Sequence, residues 1–283
     1  MAEAPSILVV GSVNLDIVAT TERLPKAGET VTGAEIDRFP GGKGANQALA
    51  ARRLGARVSL VAAVGDDANA DEALELLRRE GVDLSYCRVE SGAATGVALI
   101  AVSAGGENQI VVAPGANRLL APDTVTPPAM ALIGQLEVPA ETLLEKVTAF
   151  DGFVCLNLAP AMAVPAGLIE RADLLVVNET EAEFYGPSLY AAGALVARTL
   201  GERGAELYRD GACIARAGVP VVTPMDTTGA GDTFTAALTL ALIEGQSAED
   251  ALRFACAAGA AATTKAGAQP SLPTRAEVEA LLP

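Results

Sequence analysis

The chain is expected to fold as a three-layer α/β domain with a central, largely parallel sheet and a small β-sheet lid. Three observations carry that expectation. Short β-rich runs alternate with helix-period segments through most of the 283 residues. Two β-rich segments, 29–39 and 95–112, fall between these units instead of forming one. Glycine clusters at 41–44 and 229–231 each lead into a helical pattern.

The elements can be justified in chain order. Residues 7–10 are an unbroken apolar run ending at Gly11, the pattern of a buried parallel strand. A helix over 43–54 stops at Gly55, a strand covers 58–64, and an amphipathic helix over 70–79 ends at Gly81. Segment 95–112 reads as a hairpin: strand 95–103, a turn at Gly105-Gly106, strand 108–112. With 29–39 it is placed at the edge of the main sheet, either as a lid over a cleft or as a structural extension. Residues 122–128 are a turn-rich connection. Strands follow at 152–156, 174–177, 194–199, 206–208 and 213–216, then helices at 231–243 and 248–263 separated by Gly245.

Composition narrows the chemistry. The 51% hydrophobic content supplies a sizeable core, and a formal net charge of −15 argues against nucleic-acid or anionic-membrane partners. The absence of histidine rules out a histidine triad or a histidine-rich metal site. Cys87, Cys155, Cys213 and Cys256 are scattered and form no CxxC pair, so free thiols are expected. The N-terminal stretch lacks a signal-peptide pattern and no apolar segment reaches membrane-spanning length; the expected location is the cytoplasm.

Residues 226–234, Asp-Thr-Thr-Gly-Ala-Gly-Asp-Thr-Phe, place a glycine turn at the start of a helix with Asp232 in its first turn. Backbone N–H groups at such a terminus bind anions, and an adjacent carboxylate can take a proton from a hydroxyl attacking phosphorus. The competing reading is that Asp232 caps the helix. Pro40-Gly41-Gly42-Lys43-Gly44-Ala45-Asn46 lacks the spacing of a Walker A loop and offers amides, Lys43 and Asn46 to a polyhydroxyl ligand, or is a simple tight turn. Asn14 and Asp16 alternate with apolar neighbours just beyond the first strand and point the same way, toward a ligand or toward solvent. Asn178-Glu179-Thr180-Glu181 at a strand end suits hydrated Mg2+ beside phosphates, or begins a charged helix. Thr199 and Gly201 lie in a strand-to-turn segment open to a nucleotide.

Together these motifs resemble the PfkB carbohydrate kinases, and within them the ribokinase branch. The likeness runs from Gly11-Ser12-Val13-Asn14-Leu15-Asp16 to Gly267-Ala268-Gln269-Pro270-Ser271. It implies a three-layer ribokinase-like fold, one kinase domain over 1–283 with lid segments at about 14–40 and 92–113. It further implies ATP-dependent phosphorylation of the 5-hydroxyl of D-ribose, with kinases for another furanose or a nucleoside, or a non-catalytic sugar-binding protein, as alternatives. By resemblance, Asp232 is the catalytic base, and Asn14, Asp16, Gly42, Lys43, Asn46 and Glu137 bind the sugar. Asn178, Thr199 and Gly201 serve the nucleotide, while Gly229, Ala230 and Gly231 form the anion hole. Glu181 holds Mg2+ through water, and Asp226, Thr228, Ala262, Lys265, Gly267 and Ser271 form a K+ loop. A homodimer through the lid is also implied.

Two departures stand out. The family's Asn-Pro-Ala-Pro-Ala stretch reads Asn157-Leu158-Ala159-Pro160-Ala161. The segment between Glu183 and Thr199 is short, with Gly186-Pro187 breaking the chain, so the helix expected there should be absent or reduced to a turn. Loss of apolar cover on that part of the sheet, and weakened support for ATP, are the expected consequences.

Overall fold

The computed structural model describes residues 4–191 and 193–282. Strand β1 (Ser6–Val10) leads into β2 (Asn14–Thr21) and β3 (Glu35–Gly41), then helix α1 (Lys43–Arg53). There follow β4 (Arg57–Gly65), α2 (Ala68–Arg79), β5 (Cys87–Glu90), β6 (Gly96–Ser103) and β7 (Asn108–Ala113). The middle of the chain forms β8 (Ala131–Gln135), α3 (Ala140–Thr148), β9 (Phe153–Asn157), α4 (Ala166–Arg171), β10 (Leu174–Asn178) and α5 (Glu179–Tyr185). It ends with β11 (Leu195–Thr199), β12 (Ala205–Arg209), β13 (Ala212–Ala217), α6 (Ala230–Ile243), α7 (Ala248–Ala262), α8 (Ala268–Ser271) and α9 (Arg275–Glu279).

Nine strands form the main sheet in the order β13-β12-β11-β10-β9-β8-β1-β4-β5, parallel from β11 through β5, with β12 and β13 antiparallel at one edge. Alternate residues of its strands enter different cores. Ile7 and Val9 pack with α1, α6 and α7, while Leu8 and Val10 pack with α3 and α4. Burial on both faces is why these strands read as continuous apolar runs. The sheet order reverses around β1, and at such a switch point the carboxyl ends of the strands leave a crevice. Gln135, Asn157, Asn178 and Thr199 all stand at those ends.

The lid is a second sheet of order β3-β2-β6-β7, in which β2 pairs parallel with β6. Its expected outline needs correction. Strand structure in segment 29–39 is confined to β3, and residues 29–34 form no strand. Asn14 and Asp16, which alternate with apolar neighbours at the start of the expected 14–40 lid segment, belong to an eight-residue strand. Elements β5, β8, α3, α4, α8 and α9 are additional to those expected, and α5 is the charged helix of the competing reading at 178–181. The four cysteines are free thiols. Among the described residues, no helix is long and apolar enough to cross a membrane.

The short segment after α5 carries a single 3-10 turn, Pro187–Ala191, in place of a helix, as expected. The expected loss of apolar cover does not occur. Leu189 inserts with 2% exposure, Val196 beneath it is 1% exposed, and Tyr190 meets Tyr208 edge-on at 4.9 Å. Side chains from the turn and from β12 fill the space that a helix would occupy.

Candidate active site

The site is assembled where two glycine turns start the neighbouring helices α1 and α6. Gly42 has φ 88°, and a side chain there would put a carbon 2.7 Å from the backbone nitrogen of Asn14. Only glycine lets α1 start hard against the β1–β2 connection. From that start, Asn46 and Gln47 on the second turn of α1 reach Asp232 in the first turn of α6. Asn46 Nδ2 donates to Asp232 Oδ2 at 2.9 Å, and Gln47 Nε2 donates to Oδ1 at 2.9 Å. The capping alternative for Asp232 therefore fails on geometry: Gly229 is the N-cap of α6, with no side-chain cap bond. Each carboxylate oxygen retains a lone pair for a further donor.

Behind Asp232 runs a buried chain of amides. Gln135 Nε2 donates to Gln47 Oε1 at 2.8 Å, Gln47 Nε2 also reaches Asn157 Oδ1 at 3.2 Å, and Asn157 Nδ2 donates to the carbonyl of Val176 at 3.3 Å. Gln47 and Gln135 are absent from the site inferred from sequence, where a glutamine on an alanine-rich helix reads as a surface residue.

Lid strand β2 brings Asn14 and Asp16 to the same side of the crevice. Asn14 Oδ1 accepts a bond from Asn117 Nδ2 at 2.8 Å, and Asn117 Oδ1 accepts from the amide of Val13 at 2.9 Å. Asn117 had no sequence signal beyond following a proline-glycine pair. Glu137 accepts from Ser12 Oγ at 2.5 Å and from the amide of Lys43 at 3.2 Å. Asn46 Oδ1 is buried without a partner among the described residues, an acceptor left for a ligand hydroxyl. Burial first, then repulsion by Glu137, Asp232 and Asp226, lifts the Asp16 carboxyl to about 7. The Lys43 ammonium is held above its ordinary value, chiefly by Asp232, against the opposing effect of burial.

On the opposite side, Gly229 takes a left-handed φ of 81° at the start of α6. The N–H groups of Gly229, Gly231 and Asp232 have no acceptor among the described residues, whereas that of Ala230 reaches the Thr227 carbonyl at 3.3 Å. Beside them lies a cavity of about 620 Å3 lined by Thr199, Gly201, Thr227, Gly231, Phe234 and Cys256, among others. Thr199 and Gly201 thus reach the cavity, while Asn178 is not part of its lining. Asn178 and Glu181 instead close a reciprocal capping box on α5, with both bonds at 2.8 Å. Burial raises the Glu181 carboxyl, opposed by the Asn178 amide and by Lys43.

The loop following α7 folds against the α6 turn. Asp226 accepts from the Thr228 amide at 2.9 Å, the Thr228 hydroxyl at 2.7 Å and the Gly267 amide at 2.9 Å. Burial pushes its carboxyl up, but these bonds prevail and hold it below its ordinary value. The carbonyls of Ala262 and Lys265 accept no hydrogen bond among the described residues, which suits a carbonyl-lined cation site. Lys265 Nζ is engaged by Glu277 at 3.1 Å, and Ser271 Oγ by the Ala268 carbonyl at 2.8 Å.

Residues 4–275 match the profile of the pfkB family carbohydrate kinases. The chain is 41% identical to the ribokinase of Bacillus subtilis over 292 residues, covering 98% of this chain and 99% of that one. Among solved structures it resembles ribokinase from Thermotoga maritima, at 34% identity and a TM-score of 0.88, over 98% of this chain and 99% of the other. It also resembles Arabidopsis thaliana ribokinase complexed with ribose and ATP, at 32% identity and a TM-score of 0.87, over 99% of both chains.

Proposed function

Since the chain belongs to the pfkB family of carbohydrate kinases, we propose that it transfers the γ-phosphoryl group of ATP to the 5-hydroxyl of D-ribose. It is a sugar kinase with ATP as co-substrate. Similarity to ribokinases supports ribose as the acceptor, and the observation that carries the phosphoryl-transfer reading is the position of Asp232. Its carboxylate is held by Asn46 and Gln47 between the polar cluster of the lid side and the unpaired amides of α6.

Asn14, Asp16, Lys43, Asn46 and Glu137 bind and orient the sugar, with Gly42 giving the backbone close approach. Asp232 then accepts the proton of the primary hydroxyl as its oxygen attacks phosphorus. Amides of Gly229, Gly231 and Asp232 stabilise the charge gathering on the transferring group, and the α6 terminus adds its dipole. Thr199 and Gly201 line the nucleotide cavity, and Asn178 supports it from the end of β10, where it caps α5. Mg2+ bound with the phosphates would neutralise their charge, and Glu181 fits a hold on it through water, since its Oε1 has no partner among the described residues. K+ fits the loop of Asp226, Thr228, Ala262, Lys265, Gly267 and Ser271, where it would set the shape and charge of the anion hole without touching substrate. The reading also takes the chain as one kinase domain with its lid at about 14–40 and 92–113, working as a cytoplasmic homodimer.

The test is ADP release coupled to identification of the phosphosugar, with D-ribose, 2-deoxyribose and a nucleoside as acceptors. Ribose 5-phosphate is expected as the preferred product, with faster turnover in K+ than in Na+. Turnover of the nucleoside without turnover of ribose would overturn the substrate, and equal rates in potassium-free buffer would overturn the cation site.

A further inference from the structure

We propose that Gln47 is the positioning residue of the catalytic carboxylate, fixing Asp232 through a hydrogen-bond chain of single polarity that begins at Gln135. The inference rests on Asp232 acting as the base.

The direction of the chain is set by the carboxylate. A carboxylate accepts and cannot donate, so Gln47 must present its NH2 group to Asp232 Oδ1. Its carbonyl Oε1 then faces away, and Gln135 must meet it with Nε2, as it does at 2.8 Å. The second hydrogen of Gln47 Nε2 goes to Asn157 Oδ1, which turns the Asn157 amide so that Nδ2 faces the Val176 carbonyl. Every amide orientation is thereby dictated by its neighbour. Gln47 and Gln135 are both 0% exposed, so bulk solvent does not reach these bonds.

The chain also ties together three separately folded elements. Gln47 comes from α1, Gln135 from the end of β8 and Asn157 from the end of β9, where β8 and β9 pair Gln135 with Asn157 in register. Asp232 itself stands on α6, at the terminus that supplies the free amides. A polar network this deep costs stability unless complete, yet Gln135 Oε1 is left without a partner among the described residues. An apolar core would fill the space with less penalty, so the arrangement makes sense as a device for aiming Asp232. Displacement of a reacting group by about 1 Å can cost about 100-fold in rate.

Gln47→Met keeps the length and volume of the side chain and removes both donors. It is expected to lower kcat by about 10–100-fold while the sugar KM stays within about three-fold, because Gln47 touches the base and not the sugar. Gln47→Glu should fall below Gln47→Met at high pH, where an ionised carboxylate repels Asp232, and gain on it as pH falls and the introduced carboxyl takes up a proton and donates again. Gln135→Met, one link further away, should lower kcat by a smaller factor, about 3–10-fold. Asp232→Asn is measured alongside. Loss of turnover in Asp232→Asn together with a kcat within about two-fold of wild type in Gln47→Met would overturn the positioning role alone. Near-normal turnover in Asp232→Asn would overturn the base itself. If Gln47→Met does not fold, an unchanged kcat in folded Gln135→Met overturns the chain.

Discussion

Asp16 is 8% exposed, and three other carboxylates, Glu137, Asp232 and Asp226, bear on it. Burial chiefly, with their repulsion added, raises its pKa from 3.8 to about 7 in the free protein. The native state therefore keeps a proton on Asp16 that the unfolded chain releases near pH 4. The stability this confers is complete below about pH 4 and drains away as pH rises through about 7, a loss on the order of a few kcal/mol. Asp16→Asn, which cannot ionise, should melt higher than wild type at pH 8, by a margin that shrinks toward pH 5, while its ribose affinity falls. Thermal denaturation of both proteins at the two pH values measures this, and an equal or reversed margin refutes it. Residues of this kind were legible in part. Asn14, Asp16, Asn46 and Asp232 stand in recognisable local patterns, and the structure gathers them in one crevice. Gln47, Asn117 and Gln135 carried no such pattern, because their roles come from pairings across about 90 to 185 positions of sequence. Nothing local distinguishes a buried amide from a solvated one.

Elements with strong periodicity or continuous apolar runs, such as β1, β4, β10, α6 and α7, fall within a few residues of their expected bounds. Strand β2 was hidden because its polar positions line the crevice, where alternation looks like that of a solvated edge. The segment after α5 shows the converse limit. Its length announced a missing helix, but the replacement depends on side chains from elsewhere: Leu189 seals the sheet, Tyr190 meets Tyr208, and the Arg198 guanidinium lies 5.5 Å from the centre of the Tyr208 ring. Leu189→Ala should therefore cost about 2–4 kcal/mol, a fall of several degrees in Tm. The free enzyme should also show slow hydrogen exchange through β11 without ATP. Fast exchange there, or a Tm within a degree of wild type for Leu189→Ala, would mean that the turn adds no cover and that nucleotide must order this region.

At the scale of the whole molecule, the lid is where open strand edges and exposed apolar side chains come together. Both of its outer strands, β3 and β7, have an unpaired edge, an open invitation to pairing unless covered. The lid is anchored on one side, where Arg38 of β3 forms hydrogen bonds to Glu72 and Asn69 of α2. Away from that anchor it exposes branched side chains on both faces. Pairing of Leu99 with Val111 and of Ile100 with Ile110 places the first pair on one face and the second on the other. Leu99, Ile110 and Val111 are each at least half exposed, and Val111 reaches 66%. Apolar surface so arranged favours a second lid as its cover, whereas the net charge of −15 repels copies of the main domain elsewhere. The wild-type protein is therefore expected to sediment as a dimer at micromolar concentration. The double substitution Ile110→Glu with Val111→Glu puts a charge on each face of β7 and should shift it to monomer. Its main-sheet core, untouched by the change, should retain its far-ultraviolet circular dichroism. The sugar KM should rise in the monomer, since Asn14 and Asp16 ride on the same sheet, while kcat at saturating ribose should fall less. A wild-type protein that stays monomeric at every concentration, or a double variant that remains fully dimeric, would rule out the lid as the interface.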